Sequence, residues 1–452
     1  MALALPSRYD FLPRFYRLSS VSMLSNMMVP LAGLVDTAFL GHLADIRHLA
    51  GVILASILFD YLYRVLKFLR SSTNALTAQA AGVDDQKAVL LAGLRSGVVA
   101  LGIGLLILAL QYPLQKGGFA LLGGAQEVEA SGVEYFYGRI WGAPAVLLNF
   151  VLIGWFLGQE KNGWVFLMAL VGNGANVLLD YLMIFKWGWA SSGAGLATAL
   201  SQYLALLAGL VGAGLTIQWK DFWEAWKDVL DGAALRETVT LKSNLLIRFV
   251  VLISTYAIFT NLSSAFGTAT LAQNGLLLQI ALLSQFTIQG VGITTQTLIG
   301  NFKSKGMLDY LSPVLMVAIL TALPIALIFA ASSILFPDTI FGLLTNHAEV
   351  SEHITSYTLW LLPLLEITAV AFMFEGYFIG LKEGETLRNA VLIAFGVGFV
   401  PLAITAWYLH NNDLLWLSLV GYVTTLAIAL GTQLPRTLNQ AKAPQQESIP
   451  SP

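Results

Sequence analysis

The chain alternates long apolar runs with short polar punctuation, and the runs have the length of bilayer spans. A helix needs roughly 20 apolar residues to cross the hydrocarbon core. Twelve runs qualify, near 15–40, 48–81, 88–111, 128–157, 163–186, 192–217, 236–262, 268–301, 308–336, 350–380, 388–409 and 414–434. They are numbered here as spans 1 to 12, and they predict an all-α polytopic membrane protein. An even count leaves both termini on one face. That face holds fifteen lysines and arginines, from Arg8 to Lys442, against Arg47, Lys116 and Lys186 on the other. The positive-inside rule then orients the termini to the cytoplasm, and a multi-pass protein of the plasma (bacterial inner) membrane is expected.

Two short segments repeat at half the chain length. Residues 150–158 read FVLIGWFLG and residues 372–380 read FMFEGYFIG, an offset of 222 that also places Tyr135 on Tyr357. Both close an even-numbered span, so each half would hold six spans in the same orientation, related by an axis along the membrane normal. The expected organisation is an amino-terminal six-helix lobe (1–217), a linker (218–235), a second six-helix lobe (236–434) and a polar, Pro-rich, disordered tail (435–452). In the linker, Phe222, Trp223, Trp226, Val229 and Leu230 fall on one helical face, which predicts an amphipathic helix at the cytoplasmic interface.

Composition agrees and narrows the chemistry. Hydrophobic residues make up 57% of the 452, charged residues 11%, and mean hydropathy is +0.73. With no cysteine, neither a disulfide nor a thiolate metal site is possible. The five histidines are isolated, and no phosphate-binding loop, H-E-x-x-H or G-x-S-x-G occurs. Neither an enzyme nor an ATP-driven pump is predicted from this chain alone. Acids inside the spans point instead to a secondary transporter.

An ionised carboxylate at bilayer depth costs a few kcal/mol on insertion scales, so it must face the protein interior or take up a proton. Span 5 offers the clearest case. In NGANVLLDY (173–181), Asn173, Asn176 and Asp180 recur at spacings of three and four and so share one helical face. Asn176 and Asp180, one turn apart, can share a proton, a cation or a hydrogen-bond network. In span 1, Asp36 follows Pro30 and Gly33, which couples an acid to a point where the helix can bend. In span 2, Asp60 and Arg64 are spaced for an ion pair, and Arg64, Lys67 and Arg70 form a basic strip that should face the interior or a water-filled cavity. Glu134 stands near an interface before Tyr135 and Arg139, where a hydrated cap and a transport role are both open. Glu366 and Glu375 in span 10 are candidates for a site in the second lobe, Glu375 with a structural role as its alternative.

The segments VPLAGLVDTAFLGHLADIRHLAGV, FLRSSTNALTAQAAG and GNGANVLLDYLMIFKWGWASSGAGLATALSQY together resemble the multidrug and toxic compound extrusion (MATE) family, and most closely its DinF-like branch. The resemblance implies two six-helix bundles around a cavity that opens to each side in turn, with the coupling site in the amino-terminal lobe. It carries Asp36, Asp180 and Asn176 into that site and adds Tyr135 and Thr198. A lower-ranked set for the substrate cavity is Asn173, Arg70, Arg139, Glu366 and Glu375. Glu375 stands where the motif of that span has Asp, and the run LLIRFVVLISTYAIFTNL of span 7 carries no carboxylate.

The function expected is multidrug efflux in exchange for H⁺, with no cofactor and no metal. Na⁺ is the alternative ion, because Asp36, Asn176, Asp180 and Thr198 offer only hard oxygen ligands. Organic cations are the default substrates of an acidic site, and the protein should work as a monomer in the bilayer without nucleic acid. A lipid-linked precursor flippase of related two-lobe architecture is the other reading. It calls for a basic cavity, for which Arg64, Lys67, Arg70 and Arg139 are available.

Overall fold

The computed structural model describes residues 7–41, 46–122, 126–342 and 355–442, and within these it describes stretches such as 29–41 and 232–242 as backbone alone. Among the described residues the chain is helical, with no strand. Ten helices have the length and apolarity of membrane spans: Gln86–Ala109, Gln126–Gly158, Asn162–Lys186, Ala190–Thr216, Ser243–Ala265, Ala269–Ser304, Leu308–Leu335, Thr355–Gly380, Gly384–Leu409 and Asn412–Leu438. They correspond to spans 3 to 12. Span 1 is one continuous helix, Leu12–Gly41, so Pro30 does not end it. Span 2 is a pair, Ile46–Leu66 and Phe68–Gly82. The twelve spans form two six-helix bundles, and their large exposed side chains, such as Leu207, Leu215, Ile328 and Val397, are apolar, as lipid contact requires.

The repeated glycines do the same job in both lobes. Gly154 and Gly158 of span 4 pack on span 2, where a Cβ on Gly158 would lie 2.6 Å from Thr77 Cβ. Gly376 and Gly380 of span 10 pack on span 8, where a Cβ on Gly380 would lie 2.6 Å from the Gln296 carbonyl oxygen. Lipid offers no hydrophobic drive for helix association, so close backbone approach at small residues supplies the packing.

Several stretches of the spans depart from plain α-helix, among them a 3-10 turn at Ile140–Gly142 in span 4. At Lys67 the two halves of span 2 meet through tight i to i−3 bonds, Lys67 N–H to the Arg64 carbonyl (3.3 Å) and Arg70 N–H to the Lys67 carbonyl (3.1 Å). The fifth span of each lobe carries a six-residue π-helical stretch, Tyr181–Lys186 in span 5 and Ala394–Phe399 in span 11. Such insertions are frequent at functional sites, and the first begins at the residue after Asp180.

The linker forms a helix over Trp219–Trp226 and packs on span 3. Trp219, Trp223, Trp226 and Leu230 are exposed while Ala225 and Val229 are buried. The expected apolar face is therefore divided, with two small contacts to the protein and the indoles turned outward. Arg95 donates to the Asp228 carbonyl at 2.8 Å. The Lys87 ammonium, 2.5 Å from the Asp228 carboxylate, hydrogen-bonds it and holds it below the ordinary aspartate range. Of the tail expected to be disordered over 435–452, the described part is helical, Leu434–Lys442, and 443–452 lie outside the described residues. Arg436 reaches Glu383 at 2.8 Å and Thr437 lies 3.1 Å from the Tyr377 hydroxyl, contacts that composition alone does not reveal.

Candidate functional site

Buried polar side chains gather in several places, of which three hold charged groups of the spans. The first is in the amino-terminal lobe. Asp180 is 1% exposed, and Asn176 Nδ2 donates to its Oδ2 at 2.8 Å. The spacing of four realises the helical-face argument directly. Asn173 does not join them: its amide donates to the Ala169 carbonyl one turn back (2.7 Å). Thr198 likewise donates within its own helix, to the Ala194 carbonyl at 2.9 Å. Tyr135 is buried and belongs to another group, in which its hydroxyl accepts from Arg139 Nη1 (2.7 Å) and from Ser56 Oγ (3.3 Å). The Arg139 guanidinium lies over the rings of Phe59 (4.7 Å), Tyr135 (5.6 Å) and Tyr63 (5.9 Å), an aromatic cage in place of an acid. The Asp36 side chain lies outside the described residues. Glu134 is exposed.

The second place is in the carboxy-terminal lobe. Glu375 is buried and forms a bidentate ion pair with Arg248 of span 7, whose guanidinium also lies over the Phe249 ring. The pair is internal to the lobe. Sequence reasoning missed Arg248, although an arginine within the apolar run LLIRFVVLISTYAIFTNL is itself a signal that an acid must be found elsewhere. Glu366 is partly buried, and its Oε1 has no hydrogen-bond partner among the described residues.

The third place is the seam between the lobes. Lys67, Arg70, Ser71 and Asn74 of span 2 face Phe249 of span 7 and Gln289, Ile293 and Gln296 of span 8 around a small cavity. Hydrogen bonds then join the lobes from this level down to the face that carries the termini. Gln296 Nε2 donates to the Ser71 carbonyl (2.7 Å), Thr297 Oγ1 to Asn74 Oδ1 (3.0 Å) and Gln79 Nε2 to the Gly380 carbonyl (2.7 Å). At the end of the seam Arg14 of span 1 pairs with Glu160 and donates to Asn301 Oδ1 of span 8 at 3.1 Å. The lobes are thus latched on the termini's side.

Charge-assisted bonds of this kind contribute about 1.5–3 kcal/mol each. Arg14→Ala should therefore favour opening on that side. The chain has no cysteine of its own, so Gln79→Cys provides a unique reporter. Its reaction with a membrane-impermeant maleimide should speed up roughly tenfold in the Arg14→Ala background, the factor that about 1.4 kcal/mol represents. Equal rates in the two backgrounds remove Arg14 from the closure.

Among the described residues no group of three His, Cys, Asp or Glu is placed to hold a metal ion. Two bundles of six spans, with a buried acid in one lobe and a polar seam between them, define a membrane transporter. The MatE family model matches the chain twice, over residues 22–182 and 245–405, an offset of 223 beside the 222 of the glycine repeat. The chain belongs to the MatE family and is a transporter of that family. It is 28% identical over 415 residues to DNA damage-inducible protein F of Escherichia coli (strain K12), covering 92% of this chain and 90% of that protein. It is 24% identical over 388 residues to Protein DETOXIFICATION 44, chloroplastic, of Arabidopsis thaliana, covering 81% of this chain and 71% of that protein. Its fold matches a solved outward-facing conformation of a multidrug resistance MATE family transporter of the MOP superfamily, with TM-score 0.84 and 21% identity over 95% of this chain and 96% of that one.

Proposed function

We propose that the protein exports amphipathic organic compounds in exchange for protons, with both termini in the cytoplasm of a bacterial inner-membrane setting. In this reading residues 1–217 and 236–434 are the moving lobes and 218–235 their tether. The observation that carries it is the Asn176–Asp180 pair, buried in span 5 at the start of a π-helical stretch. An aspartate out of water is costly as an anion, and taking up a proton removes that cost. A protonated carboxyl gains a donor while keeping acceptor capacity, so the hydrogen bonds around Asp180 can rearrange beside Asn176, at a point where the backbone departs from α-helical register. The family resemblance adds Asp36 and Thr198 to the coupling site in this proposal, with Tyr135 acting from its neighbouring group with Arg139 and Ser56. The latched termini's side represents the state that loads ions from outside. Coupling requires that proton and substrate prefer opposite states, because equal affinity for both shifts nothing.

Purified protein in liposomes should move a fluorescent amphipathic dye when a pH gradient is imposed without Na⁺. Movement under a Na⁺ gradient alone would instead make the oxygen ligands of Asp180, Asn176 and Thr198 a Na⁺ site. No movement under either gradient would overturn the antiporter reading and favour the flippase.

A further inference from the structure

Three cations within the spans have a partner that disperses the charge. Arg248 has Glu375, Arg14 has Glu160, and Arg139 has three aromatic rings and a tyrosine hydroxyl. Lys67 and Arg70 break this pattern. Among the described residues no carboxylate pairs with either, and Asp60 pairs with Arg64 instead, at 3.8 Å. The Lys67 ammonium, which has three donors to place, has one long contact to Gln289 Oε1 at 3.5 Å and the Phe286 ring at 5.2 Å. Both Nη atoms of Arg70 share a single acceptor, Asn26 Oδ1, at 3.2 Å, and its Nε is buried with no hydrogen-bond partner. The two cations line the cavity at the seam together with Gln289, Gln296, Phe249 and Ile293.

Two positive charges with no carboxylate partner among the described residues, beside amide donors and apolar walls, match an oxyanion attached to an apolar body. We propose that this cavity takes the anionic head group, phosphate or carboxylate, of an amphipathic substrate, held by Lys67 and Arg70. The inference rests on the reading of the chain as an exporter whose seam opens to either side, and it replaces the organic cation suggested by the acidic pair in span 5 alone. Placing the cations at the break in span 2, where the helix is held by i to i−3 bonds, puts anion binding on a segment able to adjust.

The test is calorimetric binding to the full chain in a non-ionic detergent, using hexyl phosphate, hexyltrimethylammonium and inorganic phosphate as probes. Hexyl phosphate should bind, and Lys67→Met should weaken it at least tenfold while Lys67→Arg retains it. Arg70→Gln serves as a second variant should Lys67→Met fail to fold. Inorganic phosphate should need at least tenfold higher concentration, since it leaves the apolar walls unused. Three outcomes overturn the proposal: hexyltrimethylammonium binding as tightly as hexyl phosphate, unchanged hexyl phosphate affinity in both variants, or inorganic phosphate binding as tightly as its hexyl ester. Binding is read here without any gradient. Loss of this site with pH-driven dye export intact therefore refutes the head-group proposal alone, and anion binding without gradient-driven export refutes the antiporter.

Discussion

Replacing Asp180 by Asn is expected to lower pH-gradient-driven dye export at least about tenfold, the factor that 1.36 kcal/mol represents in a rate, while leaving a folded, monodisperse protein. The substitution keeps the size of the side chain and its place beside Asn176, 2.8 Å away. It removes the negative charge and the ability to exchange a proton, and leaves one amide oxygen to accept from Asn176. Packing should hold or improve, because a neutral amide in a span avoids the cost of a buried anion. Asn176→Ala removes the donor and keeps the acid, so its effect on export should be partial. The pattern to look for is a steep loss in Asp180→Asn, an intermediate loss in Asn176→Ala, and unchanged hexyl phosphate binding in both, since the seam cavity lies on other residues. Full pH-driven export by Asp180→Asn would return the pair to helix packing and leave Asp36 as the acid to test.

Hydropathy was sufficient to find the spans, because a bilayer demands long apolar helices and permits few alternatives. It carried no information about where helices change register. Lys67 and the π stretches after Asp180 and Ile393 shift only local backbone hydrogen bonds, and their sequences read as continuous helix. The glycine repeat was legible because both lobes use it on a contact between fixed spans. The tail was not, since its helix depends on Glu383 and Tyr377, more than fifty residues earlier. Within the candidate site, spacing found Asn176 with Asp180, a contact inside one helix. Where Tyr135 and Thr198 direct their hydroxyls depends on neighbours that spacing cannot supply: one meets Arg139 and Ser56, the other its own backbone.

The same distinction separates Glu375 from Asp180. Both are buried acids in apolar runs; Asp180 meets an amide of its own helix, and Glu375 meets a cation of another span in a bidentate pair 127 residues away, which fits Glu375 to the scaffold. Removing one member of a buried ion pair leaves the other charged and uncompensated, at a cost of about 3–5 kcal/mol, whereas replacing both by apolar groups of similar volume is often neutral. Glu375→Gln and Arg248→Met are each expected to destabilise the protein on this scale. The double variant Arg248→Met with Glu375→Leu should recover most of the loss and retain pH-driven export. Thermal unfolding in detergent and dye transport together decide the matter. A Glu375→Gln variant as stable as the parent but inactive in export would place Glu375 in the transport machinery, and the second lobe would then carry an ion or substrate site of its own.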